Sequence, residues 1–353
     1  MPSQSIALVD AALAARAPLL DERHESAVRL FNGFVEGMPS LVIDLCGKTL
    51  VVHDYAEAEG GDEPLARVVA DHLVAKLPWI ACVVWKVRHS KVSEPRNGTF
   101  LVGGVKQLTR KVLEAGVWYA IAPTLNRDVG FYPDTRPLRA WAKANLAGKR
   151  VLNTFAYTGS LGVAARAAGA EVLHTDLNRR SLNLAKDSYS LNGWPIQKSD
   201  FRVGDFFEVV GQLKREGQLF DCVFLDPPFF SVTPKGKVDL QANAKQVLNG
   251  VRPLVADGGT LAYVNNAAFL SGAEHMASLE AMCADGYLAV EQVLPTPEDT
   301  AGYPSTRVGT LAVDPAPFNH STKMVLLRVK RKDGRKATAG AEALDAGAAF
   351  SGG

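Results

Sequence analysis

Two hydrophobic patterns alternate along the chain. From about residue 150 onward, short strand-like runs are separated by longer stretches in which apolar residues recur every three or four positions. The runs at 151–155, 171–175 and 220–225 predict strands buried on both faces. The periodic stretches 161–168, 179–191, 241–255 and 272–284 predict helices covering them. Strands alternating with helices in this way predict a doubly wound α/β sheet, and the runs 288–294 and 323–329 suit a final hairpin. Upstream the pattern differs. Strand-like runs at 27–31, 41–45, 50–53 and 81–87, with a helical period over 63–77, predict a small α+β module whose Cys46-Gly47-Lys48 forms a tight turn. The expected organisation is an N-terminal helix or extension over 1–24, a small α+β domain over 25–122, a larger α/β domain over 123–332, and a disordered tail over 333–353. The tail turns basic and then Ala/Gly-rich.

The stretch VLNTFAYTGSLG, from Val151 to Gly162, is the focal point. It reads as a buried strand, a small-residue loop at its carboxyl end, and a helix whose N-terminal amides face that loop, which together make a nucleotide-binding corner. Side chains at Gly159 and Gly162 would keep the backbone away from a ligand. Loops of this kind also occur in α/β folds that bind nothing there, so the following segments matter more. Asp176 closes the next strand, where a carboxylate accepts both hydroxyls of a ribose. A third strand ends near Gly204-Asp205, placed to meet an adenine. The strand 220–225 then runs into Asp226-Pro227-Pro228-Phe229-Phe230. A hydride-transferring dehydrogenase has no use for this motif, whereas methyl transfer has. Rigid prolines hold a carbonyl and a carboxylate toward a planar target, and an aromatic ring stacks on it.

Charge changes the picture little. There are 39 Lys and Arg against 37 Asp and Glu, a net charge of +2, which is indecisive about nucleic acid. Locally, Lys86, Arg88, His89, Lys91, Arg96, Lys106, Arg110 and Lys111 form a cluster suited either to neutralising phosphates along a groove or to a solvated face. The four cysteines (Cys46, Cys82, Cys222, Cys283) are widely spaced. No CxxC pair argues for zinc or a disulfide framework, so no metal is expected, and a reducing, cytoplasmic setting is. No apolar run is long enough to span a bilayer, and no signal-peptide pattern is present.

The motifs GFYPDTRPLR, VLNTFAYTGSLGVAARAAGA, DLNRRSLNLAKDSYSLNG, GDFFEVV, FDCVFLDPPFF and GGTLAYVNNAAF occur in unbroken order over residues 126–331. In this the chain resembles the bacterial S-adenosylmethionine-dependent large-subunit ribosomal RNA methyltransferases, a family that includes cytosine-C5 and guanine-N7 enzymes. The module over 27–120 resembles, more weakly, the small domain preceding the catalytic domain there. The RNA-binding PUA domain of some relatives is not recognisable. The resemblance implies a class I methyltransferase with a Rossmann-like seven-stranded sheet, mostly parallel, preceded by a small α+β domain. It implies S-adenosyl-L-methionine as cofactor, its methionine part against Asn153, Phe155, Tyr157, Thr158, Gly159 and Ser160, its ribose on Asp176, and its adenine near Asp205. Leu177, Asn178 and Phe206 are also expected to bind the cofactor, and Asp226 faces both cofactor and target. Asp226, Pro227, Pro228 and Phe230 would hold the target base, while Phe131, Asp134, Arg136, Lys91 and Arg96 would meet the RNA.

Cytosine C5 is not nucleophilic unaided, so enzymes that methylate it first add a cysteine thiolate to the ring. In cytosine-modifying relatives that cysteine follows the fifth strand. Here the segment reads Tyr263-Val-Asn-Asn266, and Cys222 lies inside a strand. The Asn-Asn pair followed by Phe269 resembles the guanine-N7 branch, where Asn265 and Asn266 would supply amide donors. A base nitrogen of ribosomal RNA, either guanine N7 or an exocyclic amine, is the expected acceptor. A small-molecule or protein methyltransferase, a cytosine-C5 enzyme and a non-catalytic RNA-binding relative remain open. Lesser candidates are His320, Tyr303 and Arg307, and Lys235 and Lys237 on a Pro/Gly loop. A monomer and a homodimer are both compatible with the sequence.

Overall fold

The structure, a computed structural model, describes residues 2–309 and 311–337. The described residues gather into two compact units. Within them, one draws on residues 2–137, 183–195, 296–309 and 311–312, the other on 138–182, 196–295 and 313–337. Where the sequence suggests a linear division near residue 122, the chain is interleaved, with two later segments belonging to the first unit.

The first unit has seven strands, β1 (Ala27–Asn32), β2 (Leu41–Cys46), β3 (Thr49–Asp54), β4 (Cys82–Val87), β5 (Thr99–Val102), β6 (Lys111–Glu114) and β7 (Val117–Ala120). Strands β1 to β5 form one sheet in that order, and β6 and β7 form a separate hairpin. Within the sheet only β3 and β4 run parallel. Their crossover is the helix Glu63–Lys76, started by Asp62, whose carboxylate accepts from the Leu65 amide at 3.0 Å. Strands β2, β3 and β4 are buried throughout, around Phe31, Ile43, Leu50, Val52, Leu73 and Trp85. The helix Pro2–Arg16 ends on a fully buried arginine. Arg16 donates to the Glu36 carboxylate at 2.8 Å and to the Asp299 carbonyl at 2.7 Å.

The second unit holds β8 (Arg150–Thr154), β9 (Glu171–Asp176), β10 (Phe201–Val203), β11 (Phe220–Leu225), β12 (Phe230–Thr233), β13 (Gly236–Asp239), β14 (Val255–Asn265), β15 (Leu288–Leu294) and β16 (Lys323–Val329). Seven of them form the main sheet in the order β10-β9-β8-β11-β14-β16-β15. The first five are parallel, and β16 is antiparallel to both neighbours. The continuous apolar runs follow from this burial. Along β11, Val223 and Leu225 enter the core on one face while Cys222 and Phe224 enter the core on the other.

Three expectations need correction. The helix expected at 241–255 is Ala244–Val251, because Val255 already pairs with Phe220 as the start of β14. The loop carrying Lys235 and Lys237 is the β12–β13 hairpin. A helix not read from sequence, Phe206–Arg215, packs against β9. Of the expected tail, residues 338–353 lie outside the described residues. The preceding stretch is bound in place, since Lys336 donates to the Asp257 carbonyl at 2.7 Å and the Arg335 carbonyl accepts from the Asp257 amide at 2.8 Å. Among the described residues no helix is long and apolar enough to cross a membrane.

Candidate functional site

Strand order in the second unit reverses between β8 and β11, and the carboxyl ends of strands flanking such a reversal form the natural ligand crevice of an open α/β sheet. The loop after β8 is built for that position. Phe155 (φ 48°), Tyr157 (φ 51°) and Gly159 (φ 82°) all adopt the left-handed region within five residues. For the two aromatic residues this costs on the order of 1 kcal/mol or more each. The surroundings impose the conformation. The Ala156 amide donates to the Thr175 carbonyl at 2.9 Å, the Tyr157 amide to the Asp176 carboxylate at 2.8 Å, and the Thr154 hydroxyl to the Phe224 carbonyl at 2.7 Å. The Phe155 ring stacks on Phe206 at 4.4 Å. Gly159 then caps the helix Ser160–Ala167.

Beneath the loop, His174 is fully buried and stacked on Phe201 at 5.1 Å, with Nδ1 3.3 Å from the Asn153 amide nitrogen. Burial pushes its pKa down to about 3, so the ring is neutral. Gly162 lies against it: a Cβ there would stand 2.4 Å from His174 Cε1. Asn153 and Thr158 are also buried.

Asp176 ends β9 with both oxygens engaged, Oδ2 accepting from Tyr157 and Oδ1 from the Asn178 amide at 2.7 Å. Burial raises its pKa above the usual carboxylate value, and the two amide bonds oppose that rise. Leu177, immediately after it, is 62% exposed, an apolar side chain turned to solvent at the sheet's rim. Asp205 also reaches this rim, since the Gly204 amide donates to the Asp176 carbonyl at 3.0 Å. Its carboxylate caps the helix Phe206–Arg215 by accepting from Phe207 at 2.9 Å.

Asp226 follows β11 directly. Pro227 is buried and Pro228 exposed, and Phe230, 53% exposed, begins β12. Lys237 lies over the Phe230 ring at 5.1 Å and pairs with Asp239 at 2.9 Å, so it braces the hairpin. Asn265 corrects an expectation. It is fully buried, its amide nitrogen contacts the Tyr263 hydroxyl at 3.3 Å and His275 Nδ1 at 3.4 Å, and its oxygen accepts from the Ala267 amide at 2.9 Å. It holds the turn after β14 and presents no donor to a base. Phe269, three residues beyond Asn266, is 78% exposed. Cys222 is buried, with its thiol pKa pushed up by desolvation. His320 Nδ1 accepts from the Thr322 amide at 3.1 Å, a local turn bond.

The other expected substrate residues belong to the first unit. Lys91 is exposed and Arg96 half-buried on the short helix Ser93–Asn97. Phe131 is buried against Tyr119, ring centroids 5.0 Å apart, and is a core ring. Asp134 is half-buried in the turn Pro133–Thr135. Arg136 forms a two-pronged pair with Asp299 at 2.9 and 3.0 Å, which commits it to structure. Arg307 bonds the Ala301 carbonyl at 2.8 Å, and Tyr303 lies under Arg16. Lys86 also departs from expectation: its ammonium is buried and donates to the Asn126 carbonyl at 2.6 Å, so it is not a phosphate ligand. Burial lowers its pKa to about 7. Among the described residues no cluster of three or more His, Cys, Asp or Glu is arranged to hold a metal ion.

Sequence reasoning did not find the left-handed Phe155 and Tyr157, the Phe155–Phe206 stack or the role of His174. The first two carry no sequence signal, because non-glycine residues give no warning of a positive φ. Gly162, a glycine inside the helix that packs against β9, is the one available hint of close packing.

A reversal-point crevice with a latched loop, a strand-end aspartate and an Asp-Pro-Pro-aromatic turn defines the class. The chain matches the S-adenosylmethionine-dependent methyltransferase family over residues 29–311 and belongs to it. Ribosomal RNA large subunit methyltransferase I of Shewanella frigidimarina is 29% identical over 251 residues, covering 67% of this chain and 62% of that protein. Ribosomal RNA large subunit methyltransferase K/L of Pseudomonas fluorescens is 31% identical over 238 residues, covering 64% of this chain and 30% of that protein. The chain thus spans less than two-thirds of the length of either relative. A solved structure described as a methyltransferase complexed with SAH superposes with a TM-score of 0.78 at 20% identity, over 93% of this chain and 82% of that one, and shares its fold.

Proposed function

We propose that this protein methylates a base nitrogen of ribosomal RNA, using S-adenosylmethionine bound at the reversal point of the second unit's sheet. The observation that carries the reading is the pairing of Asp176 with exposed Leu177 at the end of β9, beside the latched loop. A carboxylate to accept ribose hydroxyls next to an apolar surface for adenine fits an adenosyl group, as does the loop Asn153–Ser160 for its methionine part. The bound cofactor supplies an electrophilic methyl group on a sulfonium. The residues of this chain orient the acceptor and exclude water, which is where most of the acceleration of an in-line displacement arises.

The relatives' names support ribosomal RNA as substrate. Buried Cys222, with its raised pKa, is no poised thiolate, and this supports a nitrogen acceptor over cytosine C5. With Asn265 bonded inward, Asp226 is the polar side chain of the Asp-Pro-Pro turn. A carboxylate accepts from an N–H, so it holds an exocyclic amine well, and guanine N7 would be oriented by stacking on Phe230. Asp226 aligns the acceptor, Pro227 and Pro228 fix the turn, and Phe230 stacks on the base.

The test is nucleoside mass spectrometry of ribosomal RNA from cells with and without the gene. One methylated nucleoside should disappear, returning with the wild type and not with Asp226→Ala. An unchanged nucleoside profile would refute ribosomal RNA as substrate, and loss of 5-methylcytidine would refute the nitrogen acceptor.

A further inference from the structure

The first unit carries a connected set of aromatic and cationic side chains that the methyl-transfer site does not use. Phe34, 53% exposed, meets the half-buried Tyr55 edge-on at 4.8 Å, and Tyr55 meets the exposed His89 at 6.2 Å. The Arg88 guanidinium lies 5.5 Å over the Tyr55 ring and pairs with Asp128 at 3.0 Å. The other Asp128 oxygen accepts from the hydroxyl of Tyr132, itself 38% exposed, at 2.9 Å. Lys91, two residues after His89, and Arg127, immediately before Asp128, are both exposed.

One exposed phenylalanine is ordinary, whereas neighbouring exposed aromatic side chains rimmed by charged groups mark an interaction surface. Here the exposed rings are braced from behind and interleaved with cations, and the one acidic group in the set is consumed by Arg88 and Tyr132. Flat rings with a guanidinium plane and nearby ammonium groups match unpaired nucleotides, whose bases stack and whose phosphates need counter-charge. Duplex RNA hides its base faces and offers such a surface much less. A purely apolar protein partner would gain nothing from the cations.

We infer that Phe34, Tyr55, His89, Arg88 and Tyr132 form a stacking platform for an unpaired RNA segment, with Lys91 and Arg127 as phosphate contacts. The platform rests on the reading of the protein as an RNA methyltransferase, and it deepens that reading by assigning single-stranded RNA to the first unit. It also gives the basic segment around residue 90 a role that buried Lys86 does not fill.

The test is fluorescence anisotropy of the full chain with a short labelled unpaired RNA and with the same sequence as a duplex. Wild type should bind the unpaired form more tightly. Phe34→Ala should weaken binding about fivefold or more, and Phe34→Trp should restore it. Because Phe34 is exposed, the melting temperature should stay unchanged. Lys91→Gln and Arg127→Gln should each flatten the dependence of log Kd on log salt by about 0.7. Equal affinity for duplex and unpaired RNA, or a folded Phe34→Ala chain that binds as wild type does, would overturn the platform. If ribosomal RNA is methylated while Phe34→Ala binds normally, the platform fails and the proposed function stands. If no RNA is methylated while binding depends on Phe34, the platform stands and the proposed function fails.

Discussion

Gly162→Ala is the sharpest probe of the loop and its support. In an ordinary helix this change stabilises by up to ~1 kcal/mol. Here the new Cβ would lie 2.4 Å from His174 Cε1, 2.9 Å from Nδ1 and 2.9 Å from Val172 Cγ1, all well inside contact distance. The His174 ring has nowhere to go, being stacked on Phe201 at an interplanar angle of 4° and joined to Asn153 at 3.3 Å. Overpacking of this kind costs roughly 1–3 kcal/mol, and a fixed ring places the cost at the upper end, about 3 kcal/mol. Subtracting the helix gain leaves about 2 kcal/mol of net destabilisation, or roughly 4–8 °C in Tm. Calorimetric melting of wild type and variant measures it. His174→Ala should relieve part of the loss, so the double variant should be non-additive by about 1 kcal/mol or more. A variant as stable as wild type, or strictly additive costs, would refute the tight packing of Gly162 on His174.

Acid should weaken the fold through two neutral histidines. Burial holds His174 down to about 3 and His275 down to about 4, below their unfolded values, so the folded state binds fewer protons. Their contribution is complete above pH ~6.5 and is lost as pH falls, by up to ~1.4 kcal/mol per pH unit for each. Urea melts between pH 4.5 and 7 should show that slope, and a flat profile would contradict it. Among the cysteines, Cys46, Cys82 and Cys222 are buried and Cys283 is half-buried. A thiol reagent should therefore label Cys283 first and the other three only on unfolding, as peptide mass spectrometry would show. Arg16→Met should leave Glu36 buried without its cation and destabilise by about 3–5 kcal/mol, measured by urea denaturation.

The sheet of the second unit was legible because strands buried on both faces are nearly continuous in apolar residues, as 220–225 is apart from Asp221. The β12–β13 hairpin was not. Val232 and Phe230 are exposed apolar residues in a segment punctuated by Pro234 and Gly236, which reads as a loop. Lys86 misled for a related reason. A lysine within Val-Val-Trp-Lys-Val looks like the polar face of a strand, yet β4 is buried on both faces and the ammonium meets backbone carbonyls instead. Asn265 sits in the segment where a base donor was expected, and only its three bonds reveal an internal role. The strand-end position of Asp226 could be read directly from the apolar run before it, and that of Asp176 from its place after the glycine loop and helix.

The position of β16 has a consequence for the order in which the chain is made. Among the described residues it is the last strand in sequence, and it lies between β14 and β15, bonding to both. Until residues 323–329 have been synthesised, β14 and β15 cannot be joined, and the sheet has two exposed edges where it will later have a continuous interior. The second unit is therefore completed by insertion of its final segment rather than by growth from one end. Chain shortened before Lys323 would hold the loop after β8 in its sequence but leave the sheet beneath it open.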